Sequence, residues 1–187
     1  LKNPLCAEVA CKDIGIARKV AKILENDHLR LAITTDILGI DLAGAFKNVI
    51  AIGAGLFDGL GYSASSKSAF VSYAAKQISV LAYVMGAKKA TFDMGGQAWF
   101  GDLMTTCFGQ SRNREFGELI GKTKKVKESL QKLKNEGKTV EGYVAAKVAY
   151  NLIKQYKINA PLIKMIYNIL YKKMSPEKFI KSFINDW

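Results

Sequence analysis

The sequence is poor in several residue types that carry chemistry. It has one histidine, three prolines and three cysteines in 187 residues. A Ser-His-Asp triad would have to use His28, which sits in the polar run Glu25-Asn26-Asp27-His28 with no nucleophile nearby. Cys6, Cys11 and Cys107 are odd in number and form no C-x-x-C pair. A disulfide framework and a zinc site are therefore excluded, no metal is expected, and a reducing, cytoplasmic setting fits best. No apolar run reaches membrane-spanning length without interruption: the best stretch, 37–60, carries Asp41, Lys47 and Asp58. No membrane insertion is expected. A signal peptide is not recognisable, and Leu1-Lys2-Asn3-Pro4 reads as the abrupt start of a fragment. Acidic residues are also scarce, 16 against 28 lysines and arginines, for a net charge of +12. Such a surface attracts anions.

What is present is ample apolar content, 49% of the chain, enough for a real core. Residues 4–11 and 29–34 are short apolar runs that read as strands, with a helical spacing of Ile16, Val20, Ala21 and Leu24 between them. This strand-helix-strand unit is the tail of an α/β domain. From Asp36 on, the period is helical nearly throughout. Helices are expected at 37–60, 66–86, 98–108, 112–122, 124–135, 140–155, 160–172 and 176–185. Asp36, Ser65 or Ser66, Ser111, Thr123, Thr139 and Ser175 are candidate caps, and Gly61, Gly86, Gly109 and Gly137 candidate stops. Pro161 and Pro176 fall in first turns, where proline is tolerated. The fold class is mainly α, with domain boundaries at 1–36 and 37–187.

Some motifs mislead. Gly121-Lys122-Thr123 and Gly137-Lys138-Thr139 imitate the end of a phosphate-binding loop, but Phe116 and Lys132 hold the place of the required first glycine. Gly53-Ala54-Gly55 imitates a dinucleotide-binding turn after Val49–Ile52. A buried helix is favoured there, with Gly44, Ala45, Ala51, Ala54 and Gly55 allowing close packing, because Gly59-Leu60-Gly61 would end a Rossmann helix within a turn.

Three places carry chemistry. Lys47, followed by Asn48, lies inside the most apolar stretch, where an unpaired ammonium is costly and a desolvated lysine moves toward acid–base range. Ser111-Arg112-Asn113-Arg114 opens a helix, where free N–H groups, the helix dipole and a guanidinium favour a phosphate. Asp102 follows Gly101 at another helix start, stabilised by the dipole or serving as a cap.

The stretch GIDLAGAFKNVIAIGAGLFDGLGY (39–62) closely resembles the first long helix of the substrate domain in the NAD(P)-dependent glycerol-3-phosphate dehydrogenases. GDLMTTCFGQSRNREFGELIG (101–121) and TVEGY (139–143) are similar to further motif regions of that family, and the resemblance covers essentially the whole chain. It implies an oxidoreductase interconverting dihydroxyacetone phosphate and sn-glycerol 3-phosphate, with NAD or NADP bound mainly by a nucleotide-binding half that this chain does not contain. Lys47 matches the proton-transferring lysine of the family. Asp102, Thr106, Ser111, Arg112 and Asn113 match substrate-binding positions. Arg112, Thr139 and Glu141 match positions near the cofactor. Two departures stand out: the segment leading into Asp102 is about two residues longer than usual, and Thr139 replaces a valine or lysine. The resemblance implies a chain inactive by itself. The choice of NAD or NADP, the oligomeric state (a homodimer included) and the physiological direction are not written in these residues.

Two rival readings remain. One is a related helical-domain dehydrogenase with another substrate, against which the Ser111-Arg112-Asn113 group argues for a phosphorylated one. The other is a basic helical module for nucleic acid. That module needs clustered cations with aromatics placed for stacking. Trp99 and Phe100 are the nearest candidates to Arg112, but the lysines are scattered and no nucleic acid partner is expected.

Overall fold

The structure, a computed structural model, describes residues 3–185. It opens with strand β1 (Leu5–Ala10), helix α1 (Ile14–Leu24) and strand β2 (Leu29–Thr34). The strands pair in parallel, Leu5 opposite Leu29 through Ala10 opposite Thr34, with α1 as the crossover. Asp13 caps α1 by accepting from the N–H groups of Gly15 and Ile16 at 2.7 and 3.2 Å. Only Ala17 and Ala21 of this helix are buried, while Leu5, Ile16, Ile23 and Leu24 are exposed. The unit has too little core to stand alone.

The rest is helical. Helix α2 (Ile37–Gly59) is the axis, and α3 (Ala64–Val84), α4 (Asp102–Phe108), α5 (Arg112–Thr123), α7 (Glu141–Gln155) and α8 (Pro161–Lys172) pack on it. Helix α6 (Val126–Asn135) leans on α5, and α9 (Pro176–Asn185) on α8. By length and composition α2 is apolar enough to cross a membrane, yet most of it is buried inside this helical assembly. Such a helix is hydrophobic all round because protein surrounds it all round. At its far end Phe57 stacks on Phe70 at 5.2 Å and meets Phe179 edge-on at 5.9 Å, closing the core under α9.

Asp36 anchors the near end of α2. Its carboxylate accepts from Gly39 N at 3.0 Å, Lys88 N at 2.8 Å and Thr91 Oγ1 at 2.6 Å. Burial pushes its pKa up, but these bonds, with that from Thr91 foremost, outweigh burial and hold the carboxyl below its ordinary value.

Helices α2 and α5 touch backbone to backbone. A Cβ on Gly55 would lie 1.9 Å from Arg114 O, and one on Gly117 2.0 Å from Ile52 O. Gly59 and Gly121 continue the contact. The small-residue expectation for α2 is thus correct at Gly55 but not at Gly44, which has open space around it, or Ala45, which is exposed.

Several expected caps differ. Ser63, rather than Ser65 or Ser66, caps α3 by accepting from Ser66 N. Thr123 ends α5, its hydroxyl donating to Leu119 O, and neither Thr123 nor Thr139 caps the helix that follows. Gly61, Gly86 and Gly137 have positive φ, but Gly109 ends α4 in extended backbone. The helix expected from residue 98 begins instead as a π-helical turn, Gln97–Gly101, with α4 starting only at Asp102. The start of that turn is tied to β1, since Gln97 N donates to Glu8 Oε1 at 2.8 Å.

Candidate substrate site

Four helices bring polar residues together around the middle of α2. Lys47 and Asn48 are neighbours on α2 and diverge by about 100° around the helix axis. The Lys47 ammonium, with its side chain 18% exposed, donates to Asp102 Oδ2 at the first residue of α4. Thr106, one turn along α4, donates to Oδ1 of the same carboxylate at 3.3 Å. The lysine expected to be costly in an apolar stretch is therefore paired, its mostly buried side chain ending on the Asp102 carboxylate.

Asn48 reaches the other way. Its amide donates to Gly44 O at 3.2 Å and to Glu141 Oε2 at 3.3 Å, at the start of α7. Glu141 Oε1 lies 3.7 Å from the Arg112 guanidinium at the start of α5. Asn113, beside it and almost fully buried, accepts from Gly142 N at 2.9 Å. The cap of α7 therefore comes from α5, in place of the local Thr139. Gly142 is required there, because a Cβ would fall 2.6 Å from Asn48 O and 2.9 Å from Asn113 Oδ1. Lys138, just before α7, binds both oxygens of Glu115 on α5 at 2.7 and 2.9 Å. Glu115, with Glu136 beside it, holds the pKa of Lys138 above the usual lysine value.

The two arginines of the α5 start divide their work. Arg114 folds back, its Nε donating to Gly109 O at 2.8 Å and its Nη1 to Asp58 Oδ2 at 2.7 Å. Arg112 stays 52% exposed, with only the long contact to Glu141, itself 60% exposed. Ser111 caps α5 by accepting from Arg114 N at 3.4 Å, leaving its own proton free to donate outward. The first N–H groups of α5, at Arg112 and Asn113, have no intrahelical acceptor. A cationic fork and free donors thus converge where an anion is favoured.

A cleft of about 440 Å³ opens beside Asp102 against β1, lined by Glu8, Gln97, Gly101 and Thr105. A second, about 610 Å³, opens beside Asn48 and Glu141 against Leu42, Val144 and Val148. Thr139 is exposed and lies in the loop two residues before Glu141, outside the hydrogen-bonded cluster. Trp99 is buried against Phe92 at 4.9 Å, so it offers no face for a base. Sequence reasoning gave Asn48 no role. Its signal was a second polar residue beside Lys47 on a helix otherwise apolar all round.

The fold identifies the class. The glycerol-3-phosphate dehydrogenase of Coxiella burnetii superposes with a TM-score of 0.89 at 27% identity, over 98% of this chain and 55% of that one. That of Plasmodium falciparum shares the fold with a TM-score of 0.87 at 21% identity, over 100% of this chain and 53% of that one. The fold is that of the helical part of these two proteins. More narrowly, residues 36–181 match the family described as NAD-dependent glycerol-3-phosphate dehydrogenase C-terminus, and the chain belongs to that family. Among its relatives is a protein of Francisella tularensis subsp. novicida named glycerol-3-phosphate dehydrogenase [NAD(P)+], 37% identical over 182 residues. The alignment spans 97% of this chain but 53% of that protein, so the chain spans about half the length of the relatives it matches.

Proposed function

We propose that this chain is the substrate-binding half of a cytoplasmic oxidoreductase that interconverts dihydroxyacetone phosphate and sn-glycerol 3-phosphate with NAD(P)H. Residues 1–36 are the tail of its nucleotide-binding domain and 37–187 the substrate domain. The exposed Leu5, Ile16, Ile23 and Leu24 of the strand-helix-strand unit lie where the rest of an α/β domain would pack. The observation that carries the reading is the Lys47–Asp102 pair on one arm of a cluster whose other arm is the Arg112–Asn113 helix start.

In this reading the phosphate lies at the start of α5. Arg112 supplies the charged fork, the Asn113 amide group donates while its oxygen stays on Gly142 N, and Ser111 donates its free proton. Lys47 meets the oxygen on C2. In reduction its ammonium gives a proton to that oxygen as C2 gains a hydride; in oxidation the neutral amine takes the hydroxyl proton. Asp102, braced by Thr106, aims the lysine. The cofactor, when bound, supplies or accepts the hydride. The residues here fit only its edge. Arg112 and Glu141 are the two most exposed charges of the cluster, a guanidinium suited to a diphosphate and a carboxylate suited to ribose hydroxyls, with Thr139 in the loop beside them. Among the described residues no Gly-rich dinucleotide turn opens a helix, and in this reading the cofactor is held mainly by another part of the enzyme.

The test is kinetic, in the complete enzyme of which this chain is one half. Lys47→Met lowers kcat by about 10²–10⁴-fold, the usual worth of a positioned acid–base group, with little change in KM. Arg112→Ala raises the KM for sn-glycerol 3-phosphate by about 10–100-fold, the worth of one charged hydrogen-bonding group. A Lys47→Met enzyme with normal kcat, or an Arg112→Ala enzyme with normal KM, refutes the assignment.

A further inference from the structure

Resting on that reading, we propose that Asp58, with Lys67 and Arg114, forms a positioning cluster that sets the Ser111–Asn113 turn against Lys47 and Asp102, so that Asp58 and Arg114 govern substrate affinity without touching substrate. Asp58 sits near the end of α2, three turns beyond Lys47. One of its oxygens accepts from Lys67 Nζ on α3 at 2.7 Å, and the other from Arg114 Nη1 on α5 at 2.7 Å. All three side chains are far less exposed than Arg112. Charges so withdrawn from water are costly unless fully paired.

The partners of this cluster show what it holds. Arg114 Nε donates to Gly109 O at 2.8 Å, the carbonyl at the bend between α4 and α5. The Lys67 ammonium lies 4.9 Å from the centre of the Phe108 ring, the last residue of α4. One carboxylate on α2 thus clasps both the end of α4 and the start of α5. Helix α4 carries Asp102 and Thr106 at and near its other end, and α5 carries Arg112 and Asn113 directly after the clasped bend. At the glycine contact itself α2 and α5 meet backbone to backbone, so polar side chains beside it are what can tie the α5 start to α2. The Asp58–Arg114 pair supplies that tie.

The experiment uses the complete enzyme with Asp58→Asn, Arg114→Lys and, for reference, Arg112→Ala. Arg114→Lys keeps the charge but cannot bond Asp58 and Gly109 O in the fork geometry of arginine. The KM for sn-glycerol 3-phosphate is expected to rise about tenfold or more in both cluster variants, as misplacement of a binding group does, with kcat per folded enzyme within about twofold. A merely structural role would lower the thermal midpoint and the active fraction and leave KM unchanged. If Asp58→Asn fails to fold, Arg114→Lys decides alone. Normal KM in Arg114→Lys, with KM raised in Arg112→Ala, overturns the positioning role and leaves the site assignment standing. Normal KM in Arg112→Ala overturns both.

Discussion

At the scale of single residues, what distinguishes this chain is how few polar groups its core accepts and how fully each is used. Asn48 bonds two helices, Asn113 caps a helix that is not its own, and Asp36 serves three donors from two segments. Because the folded pKa of Asp36 lies below its ordinary value, its contribution to stability is present above about pH 4 and is lost as pH falls through the folded value. Asp36→Asn keeps the size but loses acceptor strength. It should cost about 1.5–3 kcal/mol at pH 7, the range for hydrogen bonds to charged groups, and progressively less as the pH falls from about 4 toward 2. Urea unfolding from pH 7 down to about pH 2 checks this, and a loss that stays constant over that range would contradict it. Residues of this kind were only half legible in the sequence. Lys47 and Asn48 stand out as polar interruptions of an apolar run, and Asp36 as a cap. That Asn113 would cap α7, 28 residues downstream, depends on where two helix starts meet in space, which local chemistry does not encode.

At the scale of elements, periodicity placed every long helix within a few residues, because each has a continuous apolar face and a proline, glycine or polar break at its ends. The misses are at the joints. The π-helical turn at Gln97–Gly101 has no periodic signature of its own and was absorbed into the expected helix from residue 98. The sequence marks Gly44, Ala45, Ala51, Ala54 and Gly55 as small packing residues of α2, but which glycines pack depends on the partner. Gly39 faces the Asp36 carboxylate, Gly53 faces Phe70, and Gly55 and Gly59 face α5, whereas Gly44 faces open space. Two substitutions separate these cases. Gly117→Ala, whose Cβ would meet Ile52 O at 2.0 Å, must push α5 off α2 and should cost about 3 kcal/mol or more. Gly44→Ala meets nothing within 4 Å and should stabilise the helix by about 0.5–1 kcal/mol. Thermal midpoints moving in opposite directions would bear this out; a neutral Gly117→Ala would not.

At the scale of the whole molecule, the helical bundle is a frame that holds two arms of one polar cluster at fixed spacing. Helix α2 runs through its centre and contributes Lys47 to one arm, Asn48 to the other, and Asp58 to the clasp beneath them. The net charge of +12 surrounds this site with a field that favours a doubly anionic ligand. That background attraction is unspecific, so charge alone would draw inorganic phosphate as well as a phosphorylated triol. In the proposed reading the site does more, with Lys47 and Asp102 at the hydroxyl end adding contacts that inorganic phosphate cannot make.

The most direct measurement is a calorimetric or NMR titration of this chain with sn-glycerol 3-phosphate, with inorganic phosphate and an Arg112→Ala variant as controls. Saturable binding tighter than that of phosphate, and lost in the variant, is the predicted result. Binding no tighter than phosphate, or unchanged by Arg112→Ala, would contradict the claim that this bundle carries the substrate site.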